Sequence, residues 1–133
     1  MKSKISQHSR IFSCIVLLLL MSNVKTHAQE VSQMVRIAKL EIDSTQLASY
    51  NKALKEEIES SVKLEEGVLT LYAVSDKKRP NRITILEIYA DKKAYEQHLQ
   101  TPHFLKYKQE TKAMVKSLEL IESVPLIPNL KIK

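Results

Sequence analysis

The sequence holds one cysteine, one glycine and no tryptophan. The cysteine, Cys14, lies in an N-terminal apolar run. From Gln29 onwards there is therefore no disulfide, no thiolate nucleophile and no cysteine-based metal site. A lone glycine, Gly67, cannot build a phosphate-cradling loop or a dinucleotide fingerprint. The run Arg82 to Tyr89 also lacks the glycines and paired aromatics on which RNA-recognition domains stack bases, so nucleic acid is not an expected partner. There is no nucleophile elbow, internal repeat or low-complexity stretch.

The first 28 residues read as a secretory signal. Lys2, Lys4 and Arg10 precede the apolar run Ile11 to Met21, and Thr26-His27-Ala28 places small residues where a signal peptidase reads. The run is short of the roughly 20 apolar residues of a transmembrane helix. Cleavage after Ala28 is expected, with a periplasmic protein and no stable membrane association as the result; an uncleaved anchor is the alternative. Removing Lys2, Lys4, Arg10 and Lys25, with no acids, takes the formal charge from +6 to +2. The basic balance of the whole chain therefore owes much to the signal.

Residues 29–133 suit a single domain, with a core over about 34–124 and a tail at 125–133. Met34 to Ile42 alternates polar and apolar residues as a half-exposed strand does. Asp43-Ser44 offers an N-cap to a helix whose stripe is Leu47, Tyr50, Leu54, Ile58 and Val62, running to about Leu64. Gly67 follows, available for a left-handed helix end. Val68 to Ser75 and Arg82 to Tyr89 read as an antiparallel hairpin across Asp76 to Asn81. In the first of these strands Leu69, Leu71 and Ala73 share one face, and Val68, Tyr72 and Val74 the other. Asp91 caps a helix containing Ala94, Tyr95, His98 and Leu99. Thr101-Pro102 starts another, running to about Lys116, and Leu118 to Val124 is a last strand.

This order is βαββαβ, an α+β ferredoxin-like arrangement with helices on one side of an antiparallel sheet. Both sheet faces carry apolar residues, so a homodimer packed sheet against sheet is expected. The tail, with Leu126, Ile127, Leu130 and Ile132 among prolines, suits an added edge segment.

Candidate chemistry gathers between Asn81 and Phe104. His103, in the positive first turn of its helix, is expected to stay neutral at pH 7 and accept a proton, and His98 ends the preceding helix. Ile83, Ile85, Glu87 and Tyr89 share a strand face by the two-residue period. Glu87 there is either poorly solvated, which raises its pKa, or partnered, by a histidine, Arg36 or Arg82. Tyr72, Tyr89 and Phe104 are candidate walls for a flat ring or simply core. Two histidines five residues apart, with no third ligand nearby in sequence, make no convincing metal site.

Glu65-Glu66-Gly67-Val68-Leu69, Leu86-Glu87-Ile88-Tyr89 and Ala94…His98…Thr101-Pro102-His103-Phe104, in that order, resemble the antibiotic biosynthesis monooxygenase family from about Met34 to Ile121. The resemblance implies a dimeric α+β barrel with a pocket between sheet and helices. It also implies a monooxygenase that oxidises a small quinol or other electron-rich phenol with dioxygen and needs no metal or flavin. Catalytic roles then fall to His103, His98 and Glu87, and substrate contacts to Tyr72, Tyr89 and Phe104. Haem-degrading relatives carry a tryptophan where His98 stands and a histidine in the helix after Phe104. Here those positions are His98 and Leu105-Lys106-Tyr107-Lys108, so haem chemistry is disfavoured. An oxygen-independent isomerase or lyase, and a non-catalytic ligand-binding dimer of the same fold, remain the alternatives.

Overall fold

A computed structural model describes residues 33–127. The expected signal and the end of the tail lie outside the described residues. The elements are β1 (Met34–Ile42), a 3₁₀ turn (Ser44–Gln46), α1 (Leu47–Leu64), β2 (Val68–Ser75), β3 (Arg82–Tyr89), α2 (Lys92–His98), α3 (Pro102–Thr111) and β4 (Val115–Ser123). The strands form one antiparallel sheet in the order β2-β3-β1-β4, the ferredoxin-like α+β arrangement expected from the chain order. Among the described residues no helix is long and apolar enough to cross a membrane.

The core lies between the sheet and α1. Ala38, Leu40 and Ile42 of β1 and Ile83 and Ile85 of β3 face Tyr50 and Leu54 of α1. The stripe on α1 drifts from the expected one. Its buried residues are Tyr50, Leu54, Glu57 and Ser61, whereas Val62 is 52% exposed. The steps of four, three and four residues follow the 3.6-residue turn, and they carry a carboxylate inward near the helix end. Tyr50 and Tyr107 share a 2.6 Å hydroxyl contact that ties α1 to α3.

Three other expectations need correction. The helix α3 ends at Thr111, not near Lys116, because the chain turns at once into the sheet. Met114 N–H donates to Thr111 O, Asp43 N–H takes the Met114 carbonyl, and β4 pairs from Val115 opposite Ile42, with a register shift at Glu41/Ile42. In β2 a register shift between Val68 and Thr70 breaks the alternation. Val68 opposes Tyr89 on the helix-covered face, while Tyr72 and Val74 oppose Leu86 and Thr84 on the other. The third correction concerns Gly67, since no described residue has positive φ.

Gly67 is needed for space. A Cβ there would lie 2.5 Å from the Ala94 side chain at the start of α2. Gly67 O also accepts from Ala90 N–H at 2.8 Å, so the backbone has little freedom to retreat. Gly67→Ala is expected to lower stability by about 1–3 kcal/mol, the usual range for overpacking, as read from the urea midpoint. An unchanged midpoint would mean that α2 shifts freely.

The face of the sheet away from the helices carries Val35, Ile37, Leu86, Ile88, Val74 and Ile121, placed by the register. No described helix covers it.

Candidate active site

The site is built where α1 ends and α2 meets α3. Asp91 caps α2 by accepting from Ala94 N–H at 2.7 Å. Thr101 accepts from Phe104 N–H at 3.3 Å and donates to His98 O at 2.8 Å, and Pro102 occupies the first turn of α3. These caps fix a tight corner with His98 as the last residue of α2 and His103 in the first turn of α3.

Glu65, just past α1, joins the two histidines. Its Oε1 lies 3.0 Å from His98 Nδ1 and 2.6 Å from His103 Nε2. Burial acts to raise the pKa of Glu65, but the hydrogen bonds from His103 and His98 outweigh it and hold the carboxyl below its usual range. An ionised Glu65 only accepts, so both of these ring nitrogens carry protons. The lone pair of a neutral His98 then falls on Nε2, which is 3.6 Å from Glu57 Oε1. Glu57 is buried, accepts from Ser61 Oγ at 2.7 Å, and has its pKa pushed up by burial. The expectation of a proton-accepting His103 is narrowed by the same contact: Nε2 is occupied as a donor, and only Nδ1 remains to accept.

A second cluster lies on the sheet. Glu87 Oε2 accepts from Arg36 Nε at 3.0 Å and Nη2 at 2.9 Å, and from the Tyr89 hydroxyl at 3.1 Å. Arg36 Nη1 donates to the Tyr95 hydroxyl at 2.7 Å, with the guanidinium carbon 4.4 Å from the Tyr95 ring centre. Burial opposes the guanidinium charge, but Glu87 and Tyr95 more than compensate, and the Arg36 pKa is raised. Burial raises the Tyr89 pKa well beyond its ordinary value, with Glu87 adding to the effect, so Tyr89 stays a neutral donor. Glu87 is thus partnered by Arg36, as one of the alternatives had it, and among the described residues no hydrogen bond or ion pair joins it to a histidine. The carboxylate that orients the histidines is Glu65.

Both clusters border a cavity of about 710 Å³ between the helix-covered face of the sheet and α2 and α3, within the roughly 300–1,000 Å³ of small-molecule pockets. Its wall is mostly apolar and includes Tyr89, Phe104, Leu118 and Leu120. Its polar groups include His98, Glu57, Glu87 and Arg36, with Lys108, Lys112 and Lys116 also on the lining. Of the residues singled out from the sequence, His98, Glu87, Tyr89 and Phe104 come together here. Two do not. Tyr72 is 66% exposed on the opposite sheet face, because the shift in β2 fixes its side. His103 lines a separate groove between α1 and α3, together with Glu56, Lys63 and Lys106; it reaches the cavity only through Glu65 and His98.

Neither Glu57 nor Glu65 has a site role in the sequence reading, although Glu65 stands in the motif that carries the family resemblance. A signal for Glu65 did exist: an acid at a helix C-terminus opposes the helix dipole and calls for a cationic or hydrogen-bonding partner. Glu57 falls into the buried stripe of α1 once the helical period is followed strictly.

Residues 34–110 match the sequence model of the antibiotic biosynthesis monooxygenase family. The chain is similar to the solved structure of a candidate antibiotic biosynthesis monooxygenase from Bacteroides thetaiotaomicron. Identity is 59% and the TM-score 0.76, over 77% of this chain and 97% of that one. A candidate monooxygenase from Lactobacillus acidophilus is 30% identical with a TM-score of 0.66, over 68% of this chain and 43% of that one. A candidate antibiotic biosynthesis monooxygenase from Nitrosomonas europaea, 18% identical over 74% of this chain and 95% of that one, shares the fold with a TM-score of 0.69. None of the curated proteins matches the chain.

Proposed function

The chain belongs to the antibiotic biosynthesis monooxygenase family, and from that premise we propose that it is an exported, dimeric monooxygenase that oxidises a small quinol or related phenol with dioxygen. The observation that carries this reading is His98. It is 2% exposed, its Nδ1 is engaged by Glu65, and its Nε2 is left with the lone pair beside a largely apolar cavity.

The reaction requires a substrate that can itself reduce dioxygen. His98 Nε2 takes the phenolic proton, and the phenolate is the electron-rich species that hands electrons to dioxygen. One oxygen atom is incorporated into the ring and the other leaves as water; the substrate supplies all four electrons, two at the carbon that gains oxygen and two as the quinol ring becomes a quinone, so no external reductant is needed. The fixed tautomer keeps the accepting nitrogen turned to the substrate, and the charge on Glu65 stabilises the imidazolium that forms. Tyr89 and Phe104 provide aromatic surface for a flat ring. The uncovered apolar sheet face supports the dimer, and the sequence of residues 1–28 supports export to the periplasm.

The test is oxygen uptake by the purified protein with a panel of reduced quinols and polyphenols. Uptake above the spontaneous rate, with an oxygen atom from labelled dioxygen in the product, is the expected result. No uptake from any of them would overturn the reading. One observation favours a second reading. Glu57, whose pKa is raised, stands 3.6 Å from His98 Nε2, and an acid beside a base suits proton transfer in an isomerase. Turnover that persists without oxygen would select it.

A further inference from the structure

The group that joins the two histidines is also a set of metal-ligand atoms. Glu65, His98 and His103 each offer one ligand atom, and the three atoms lie within 4.8 Å of one another, with Glu65 Oε1 3.0 Å from His98 Nδ1 and 2.6 Å from His103 Nε2. We propose that these three atoms bind one divalent first-row transition-metal ion. The site shares His98 with the base proposed above, but it is read out by metal binding alone and so stands or falls independently of any oxidase activity.

The donor set is two imidazole nitrogens and one carboxylate oxygen, a combination suited to zinc, cobalt, nickel or ferrous iron and leaving coordination positions open to water. Two atoms bound at about 2.1 Å to one ion stand at most about 4.2 Å apart. The contacts of 3.0 Å and 2.6 Å to Glu65 Oε1 fall below that limit; near-tetrahedral ligands at this bond length stand about 3.4 Å apart, so an ion that replaces the two hydrogen-bond protons spreads the donors by less than about 1 Å. The ligands come from three places, the end of α1, the end of α2 and the first turn of α3, and the Thr101 caps lock two of them together.

Surroundings and access fit as well. When an ion takes His98 Nδ1, the proton of the neutral ring moves to Nε2. There Glu57 Oε1, 3.6 Å away and itself held by Ser61, is placed to receive it. A carboxylate behind a ligating histidine is the usual support for such a ligand. The His98 side chain is 3% exposed, but those of Glu65 and His103 are 12% and 17% exposed, so an ion can enter from the surface. The other buried carboxylate, Glu87, has no such capacity, because the Arg36 cation already occupies it. Metal and base states of His98 exclude each other, since each needs the ring proton on a different nitrogen.

The experiment is titration of the chelator-stripped full-length protein with cobalt(II), followed by its visible absorption. The expected result is one equivalent per chain, with the strong bands of four- or five-coordinate cobalt, abolished by one equivalent of zinc. Glu65→Gln and His103→Ala should each weaken cobalt binding at least about tenfold, the lower end of what even a supporting residue contributes. Circular dichroism checks that both variants remain folded. A variant lacking His8 and His27, which lie outside the described residues, should bind as well as the natural chain. A spectrum of the six-coordinate aqua ion alone, or binding unchanged by both Glu65→Gln and His103→Ala, would overturn the proposal.

Discussion

Replacing Glu87 with leucine is expected to destabilise the protein by about 3–5 kcal/mol, the cost of breaking a buried ion pair from one side. Arg36 and Glu87 have only 10% side-chain exposure each and meet at 2.9 Å. Without Glu87 the guanidinium keeps its contact with Tyr95 but loses its counter-charge, and the Tyr89 hydroxyl loses its acceptor. A buried charge without a partner is what makes the loss large.

The companion variant makes the argument testable. Removing both charges, in Arg36→Met with Glu87→Leu, should cost much less than the sum of the single changes, because neither partner is then stranded. Urea unfolding of the four proteins gives the coupling directly. A single-variant cost under about 1 kcal/mol would mean that the pair behaves like a solvated surface bridge and not like a buried one. Arg79–Asp76 and Lys55–Glu59 offer the contrast: these pairs are largely exposed, and nothing comparable is expected from them.

The second large effect is on turnover. With an accepted quinol, His98→Ala is expected to lower kcat by about 10²–10⁴-fold, the usual worth of a positioned base. Added imidazole should restore part of the rate, because the substitution leaves a ring-shaped space beside the cavity. Rescue separates loss of a base from general damage to the fold. Glu65→Gln should fall between the natural protein and His98→Ala, since an amide can still accept from Nδ1 through its oxygen but, once flipped, donates and favours the wrong tautomer. Kinetics at fixed pH across the three proteins give the ranking. Full activity in His98→Ala would remove His98 as the base and with it the structural support for the monooxygenase reading.

How far the chain could be read beforehand differs between fold and site. The start and end of β1, β2 and β3, the Asp91 and Thr101 caps and the βαββαβ order are all visible in short-range patterns. The family resemblance, read over about Met34 to Ile121, includes the stretch 34–110 that the family model matches. Errors appeared where a neighbouring element overrode a local pattern. The last helix ends short of its expected limit, because Lys112 to Met114 carries no breaker and its turn is set by pairing with β1. The start of β2 departs from strict alternation, because one shifted residue reverses the facing of the side chains on either side of it. Gly67 was expected to serve backbone conformation, and its actual neighbour, Ala94, lies 27 positions further along.

What the sequence determined by itself is the set of elements and the side on which most residues of each would be buried. Those properties depend on hydrogen bonding and alternation within a few residues, which any short stretch carries with it. Only the tertiary structure decided which charged groups meet. Glu65 reaches His98 and His103 across 33 and 38 positions, and Arg36 reaches Glu87 across 51. Contacts of that span have no period and no spacing rule; they follow from where the sheet register and the helix corner set each side chain down. The roles of Glu87 and Glu65 divided on that ground. Glu87 is the acid nearer the histidines in the chain order, but β3 carries it to an arginine, while the end of α1 carries the distant Glu65 between two imidazoles.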